Sequence, residues 1–140
     1  MKEQLILQLE KNGWKKRTPA TEKEIESLQL AFGITLPEEY LAILQYSNGG
    51  SLYGFQTPLI VYAISEVLAL HHEHDLYESI PESLIFGGDG GGTIYAFDLR
   101  SKNHQVLFFR EDYTSYDNIV FQANRLSEVV KKIIDNEKIN

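Results

Sequence analysis

The stretch Leu84-Ile85-Phe86-Gly87-Gly88-Asp89-Gly90-Gly91-Gly92-Thr93-Ile94-Tyr95-Ala96-Phe97-Asp98-Leu99 reads as strand, glycine loop, strand. Five of the ten glycines fall within Gly87–Gly92, with Asp89 the one side chain among them. A dinucleotide-binding loop would open a helix after its last glycine. Here the chain continues Thr93-Ile94-Tyr95-Ala96-Phe97, β-branched and aromatic, which favours a strand. A Walker loop would end in Gly-Lys-Ser/Thr, and no lysine lies nearby. The loop therefore reads as a hairpin connection, with glycines where the backbone turns left-handed or packs closely. Asp89 is expected to bond its own backbone as a turn residue.

Outward from this hairpin, both chain ends read as helical. Leu5, Ile6 and Leu9 give a first amphipathic helix from about Lys2 to Asn12, and Trp14 after Gly13 is a core anchor. Lys15-Lys16-Arg17 reads as a solvated loop. Thr21-Glu22-Lys23-Glu24 is a capping box, and Ile25, Leu28 and Phe32 share the face of the helix it opens. Gly33 closes that helix with an αL cap. Pro37 suits the first position of a third helix, with Tyr40, Ile43 and Leu44 inward and Asn48-Gly49-Gly50 as its stop.

Two short strands follow, near Leu52–Phe55 and Leu59–Tyr62. Ser65 then caps a short helix that carries Val67 and Leu68 inward and ends near His74, and residues 76–83 are loop. Beyond the hairpin, His104–Phe109 and Ile119–Phe121 are extended. Leu126, Val129, Val130, Ile133 and Ile134 set out the last helix. The expected fold is α+β. One domain spans residues 1–140, with a mostly antiparallel central sheet of five or six strands and helices from both chain ends packed around it.

Charge narrows the function. From Glu24 to Leu99 there are eleven acids and not one lysine or arginine; the other nine acids and all thirteen bases lie outside, for a net charge of −7. Such a field repels nucleic acid and anionic lipid and attracts basic partners. There is no cysteine, so disulfides, thiolate metal sites and cysteine nucleophiles are excluded. Met1-Lys2-Glu3-Gln4 does not read as a signal peptide, and no apolar run approaches the ~18 residues of a membrane span, so a cytoplasmic protein is expected.

Catalytic patterns are missing. No Gly-x-Ser-x-Gly frames a nucleophile. His71-His72-Glu73-His74-Asp75 lacks the His-Glu-x-x-His order of zinc proteases and reads as an exposed helix end that titrates near about pH 6. No catalytic, cofactor-binding or metal residue is assigned, and the protein is read as a non-enzyme. Tyr46, Tyr53, Tyr62, Tyr77, Tyr113 and Tyr116 fall at element ends or in loops, where amphipathic rings often serve interfaces. Charge and expected exposure select Glu66, Glu73, Asp75, Glu78, Glu82 and Asp89 for partner electrostatics, with Tyr53 and Tyr77 as anchors.

Three segments in order resemble the SUKH superfamily. Thr21-Glu22-Lys23-Glu24-Ile25 through Leu36-Pro37-Glu38-Glu39-Tyr40, then Ser47-Asn48-Gly49-Gly50, is similar to its N-terminal signature. Ile85–Gly92 followed by Ile94-Tyr95-Ala96-Phe97-Asp98-Leu99 resembles its central loop and strand, and Asn124–Asn136 its closing helix. The family loop often carries an acid after its glycines; Thr93 stands there in this chain. The resemblance implies an α+β sheet, no cofactor and function by protein binding. Bacterial members are typically immunity proteins that neutralise a cognate toxin, often a nuclease, in polymorphic toxin systems; fungal members are scaffolds in cell-wall signalling. Together these point to a bacterial immunity protein acting on a basic toxin through an acidic surface, with a regulatory scaffold module of the same fold as the alternative.

Overall fold

The computed structural model describes residues 2–139, apart from the side chain of His74. Six α-helices surround one seven-stranded sheet. The elements run α1 (Lys2–Lys11), β1 (Lys15–Lys16), α2 (Glu22–Phe32), α3 (Glu38–Tyr46), β2 (Gly50–Leu52), β3 (Leu59–Val61), α4 (Ile64–His71), α5 (His74–Ser79), β4 (Ser83–Gly88), β5 (Thr93–Asp98), β6 (Val106–Arg110), a 3-10 turn (Tyr116–Asn118), β7 (Ile119–Ala123) and α6 (Leu126–Ile134). Every strand lies antiparallel beside its neighbour in sequence, in the order β1 to β7. The α+β expectation holds, with one strand more than its upper figure.

The added strand is β1. Lys15 and Lys16 pair with Ser51 and Gly50, where the sequence read as a loop. Gly50 makes the pairing possible. It adopts φ 146°, and a Cβ there would lie 2.6 Å from the Trp14 ring. Trp14 is buried, as expected of a core anchor.

The helix signals resolve locally. Thr21 and Glu24 form both bonds of the capping box, at 3.1 and 2.9 Å. The Gly33 N–H reaches the Gln29 carbonyl in an αL cap. Two readings are corrected. Helix α4 begins at Ile64 rather than after Ser65, because its first amides are bonded from elsewhere: Asn48 Oδ1 accepts from the Ile64 N–H at 2.9 Å, and Glu66 Oε1 from the Ala63 N–H at 2.7 Å. Asn48, just past the end of α3, thus caps the start of α4. Residues 74–79, expected to be mostly loop, form α5, and Ser83 Oγ locks its exit by donating to the Ile80 carbonyl.

The sheet separates two apolar layers. One face carries Leu59, Val61, Leu84, Phe86, Tyr95, Phe97, Val106 and Phe108 into the main core with α1, α2, α3, α6 and the first turns of α4. Phe86 and Phe97 stack at 4.4 Å between centroids, and Tyr95 and Phe108 at 3.9 Å. The other face carries Ile85, Ile94, Ala96, Leu107 and Phe109 under Leu70, Leu76, Tyr77 and Tyr116. This alternation is the period-two pattern of the hairpin strands, buried on both sides.

Candidate functional site

Strand β3 stops after Val61, opposite Gly87, while β4 starts at Ser83. The first half of β4, paired with β5 on one side, therefore has no strand on its β3 side, and the segment α4–α5 packs there. It leaves β3 near Phe86, whose carbonyl accepts from the Tyr62 N–H at 2.8 Å, and returns at Ile80 to begin β4. Of the acids selected from the sequence, this segment carries Glu66, Glu73, Asp75 and Glu78, while Glu82 lies at its exit and Asp89 in the β4–β5 turn.

Those acids fall into two groups. At the Gly88 end of β4, Glu66 and Asp89 act on the Tyr62 hydroxyl together with Glu111, a residue that sequence reasoning missed. Burial, then the carboxylates of Glu111, Glu66 and Asp89, push the Tyr62 hydroxyl above its ordinary pKa. Glu111 is brought there by its N–H, which donates to the Gly92 carbonyl at 2.7 Å across the glycine loop. Asp89 behaves as the expected turn residue, its Oδ1 accepting from the N–H groups of Gly91 (2.8 Å) and Thr93 (3.0 Å).

At the other end lie Glu73, Asp75, Glu78 and Glu82, all exposed along α5 and its exit. Glu82 adopts φ 59° and its carbonyl accepts from the Leu99 N–H at 2.8 Å, which ties the turn to the end of β5.

The cation-free stretch of sequence is not cation-free in space. Arg17 Nη1 reaches Glu66 Oε1 at 3.3 Å from beyond β1, an exposed pair of small energetic worth. The Glu82 carboxylate adds to the field that raises the Arg100 guanidinium, behind the Asp98 hydrogen bond that dominates it. Glu73, Asp75 and Glu78 have no ion-pair partner among the described residues, so α5 and its start carry uncompensated negative charge.

The two tyrosines expected as anchors differ. Tyr53 is 50% exposed, with Lys15 Nζ 5.7 Å above its ring. Tyr77 is half-buried. Its hydroxyl accepts from the Ile85 N–H at 2.9 Å, standing where β3 no longer pairs with β4, and its ring edge meets His71 at 5.3 Å. Burial pushes its pKa up to about 12, so the phenol stays neutral. The exposure assumed for Tyr77 is thus corrected: it seals the β4 edge.

The expected exposed helix end holds for His72, Glu73 and Asp75 and fails at His71, which is half-buried. His71 packs 4.2 Å from Phe32, and burial, then His72, lowers its pKa. The side chain of His74 lies outside the described residues. Among the described residues no three of His, Asp and Glu gather as a metal site. A cleft of about 810 Å³ opens between the start of α3 and the β5–β6 turn and is lined by Glu39, Tyr40, Lys102, His104 and Arg125 among others. None of the selected acids borders it, and Glu39 there is engaged in accepting from the Ser127 N–H at 3.0 Å. Among the described residues, no helix is long and apolar enough to cross a membrane.

Comparison with known families matches the chain to the SMI1 / KNR4 family (SUKH-1) over residues 19–132. That span runs from just before the capping box to within the last helix. Comparison with curated proteins gives no match.

Proposed function

Because the chain belongs to the SMI1 / KNR4 family (SUKH-1), we propose that it is a cytoplasmic immunity protein of a bacterial polymorphic toxin system. In this reading its 140 residues act as one domain that neutralises a basic toxin, a nuclease by class, through the acidic outer side of α4–α5. The family is in general one of protein binders rather than enzymes. A nuclease must hold phosphate with cations. An inhibitor that covers those cations gains affinity and encounter rate from carboxylates that have no cation of their own. The observation that carries the reading is the exposed acidic run Glu73, Asp75, Glu78 and Glu82, with Glu66, Asp89 and Glu111 forming a second acidic group at the Gly88 end of β4. Tyr53 supplies an exposed aromatic surface. Tyr77 contributes by holding α5 against β4.

Affinity capture from the native cell lysate, washed at low and then high salt, tests this. The expected result is a strongly basic protein released by salt. An acidic partner, or one that survives high salt, would replace the immunity reading with a regulatory scaffold that binds through other surfaces.

A further inference from the structure

Helix α5 has six residues, too few to stand on its own hydrogen bonds. Leu76 and Tyr77 pack it over the sheet, and Tyr77 meets the ring of His71, the last residue of α4, at 5.3 Å. The same imidazole lies 4.2 Å from Phe32, the last residue of α2. It therefore stands where three helices meet. Its Nδ1 is buried and has no hydrogen-bond partner among the described residues. No charge compensates it from the surrounding elements. On α2, Glu22, Lys23, Glu24 and Glu26 lie in the first half of the helix, away from Phe32. On α5, Asp75 and Glu78 are exposed, and the Tyr77 hydroxyl is engaged in accepting from the Ile85 N–H. Beyond the end of α4, the His72 ring lies 6.0 Å away and Glu73 is exposed. Among the described residues, none of these carboxylates forms an ion pair with His71.

We propose that His71 is a proton-operated latch: the neutral ring holds α5 against β4 through Tyr77, and protonation releases α5 together with the acids it carries. A neutral imidazole has one N–H, and its other nitrogen is a lone pair; the imidazolium has two N–H groups. Charging His71 turns the buried Nδ1 into a donor with no acceptor and leaves the cation partly desolvated. The face of Phe32 offsets part of that cost. Burial and the neighbouring His72 outweigh it and hold the ring below its ordinary pKa. The closed junction thus favours the neutral ring. Its stability is complete above the ordinary value of about 6.5 and falls as pH drops from there towards the lower value of the closed state. Turning the charged ring out to water removes the cost, and it takes away the surface on which Tyr77 rests. Glu73 stands at the start of α5, with Asp75 and Glu78 on it, so acidification unfixes the acidic run as a surface.

Amide hydrogen exchange of the full chain alone, from about pH 7 to about pH 5 and corrected for the intrinsic rate at each pH, tests the latch. In the parent, exchange in α5 and at Ile85 is expected to rise severalfold across this range while β5 and β6 keep their protection. His71→Phe fills the junction with a ring that takes no proton and is expected to abolish the rise. Flat exchange in the parent overturns the proposal, as does a rise that persists in His71→Phe. A second readout needs no variant: the His71 ring resonances, followed by nuclear magnetic resonance, are expected to titrate together with the Ile85 amide. A ring that titrates with no response at Ile85 or in α5 overturns the proposal too. The measurement contains no partner, so its failure leaves the acidic-surface reading standing.

Discussion

Two regions are conspicuous in this chain, the glycine segments and the run of acids, and they do opposite work. Gly50 and Gly87 are places where nothing larger fits: a Cβ on Gly50 would sit 2.6 Å from Trp14, and one on Gly87 would sit 2.0 Å from the Ile60 carbonyl oxygen. Glu73, Asp75 and Glu78 are exposed and carry no ion pair among the described residues. The fold leaves no room for a side chain at Gly50 and Gly87, and the exposed acids are expected to be dispensable to it. A surface that contributes little to stability and carries uncompensated charge is where a partner is expected to bind.

The contrast is sharpest within the glycine loop itself. Gly87→Ala is expected to cost roughly 3 kcal/mol or more, because the β3–β4 approach must open. Gly91→Ala meets only Asp89 Oδ1, at 3.8 Å. It is expected to stay within about 0.5 kcal/mol of the parent. Urea denaturation of the two variants side by side measures the gap. Equal costs would break the division of the loop into a packed half and a turning half.

Two polar residues lie between the extremes, being both structural and adjacent to the acids. Tyr77→Phe leaves the Ile85 N–H without its acceptor and is expected to cost about 1–3 kcal/mol. Amide hydrogen exchange should accelerate first in α5 and at Ile85. Asp98 is buried beside Arg100, whose Nε and Nη2 donate to its two carboxylate oxygens at 3.0 Å each. Burial alone would raise its pKa, but the side-chain and backbone hydrogen bonds from Arg100 outweigh it and hold the carboxyl below its ordinary value. The folded state therefore favours the carboxylate. Its contribution is complete above the unfolded value of about 4 and is lost as pH falls through the lower folded one. Asp98→Asn is expected to cost about 2 kcal/mol near neutrality and progressively less below about pH 4. Melting temperatures across that range check the sign.

The smallest stability effect belongs to the acids. Reversing Glu73, Asp75 and Glu78 to lysine together is expected to change stability by no more than about 0.5 kcal/mol per site. A larger loss would mean that α5 depends on them, and the contrast with the glycines would fail.

How much of this was legible in the sequence follows the range of the interactions. The Thr21–Glu24 capping box, the Gly33 cap and α6 depend on neighbours within four or five positions, and they read correctly. The hairpin read correctly because its alternating pattern is local. Strand β1 did not, because what makes Lys15-Lys16 a strand is Gly50-Ser51, some 35 positions on. Helix α5 was obscured by Pro81 and by a short apolar pattern, and it is fixed by Tyr77 reaching Ile85. At the candidate site the excess of acids was visible, but its compensation was not. Arg17 meets Glu66 across 49 positions, and Glu111 joins Asp89 only through the folded loop.

The most direct test of the central claim is the association rate of the captured partner with the parent chain and with the Glu73→Lys/Asp75→Lys/Glu78→Lys variant, over a series of salt concentrations. The account predicts association slowed by about tenfold or more at low salt, with a flattened salt dependence and an unchanged melting temperature. Identical rates and identical salt slopes for the two chains would contradict it and would leave the acids of α5 as a solubilising surface.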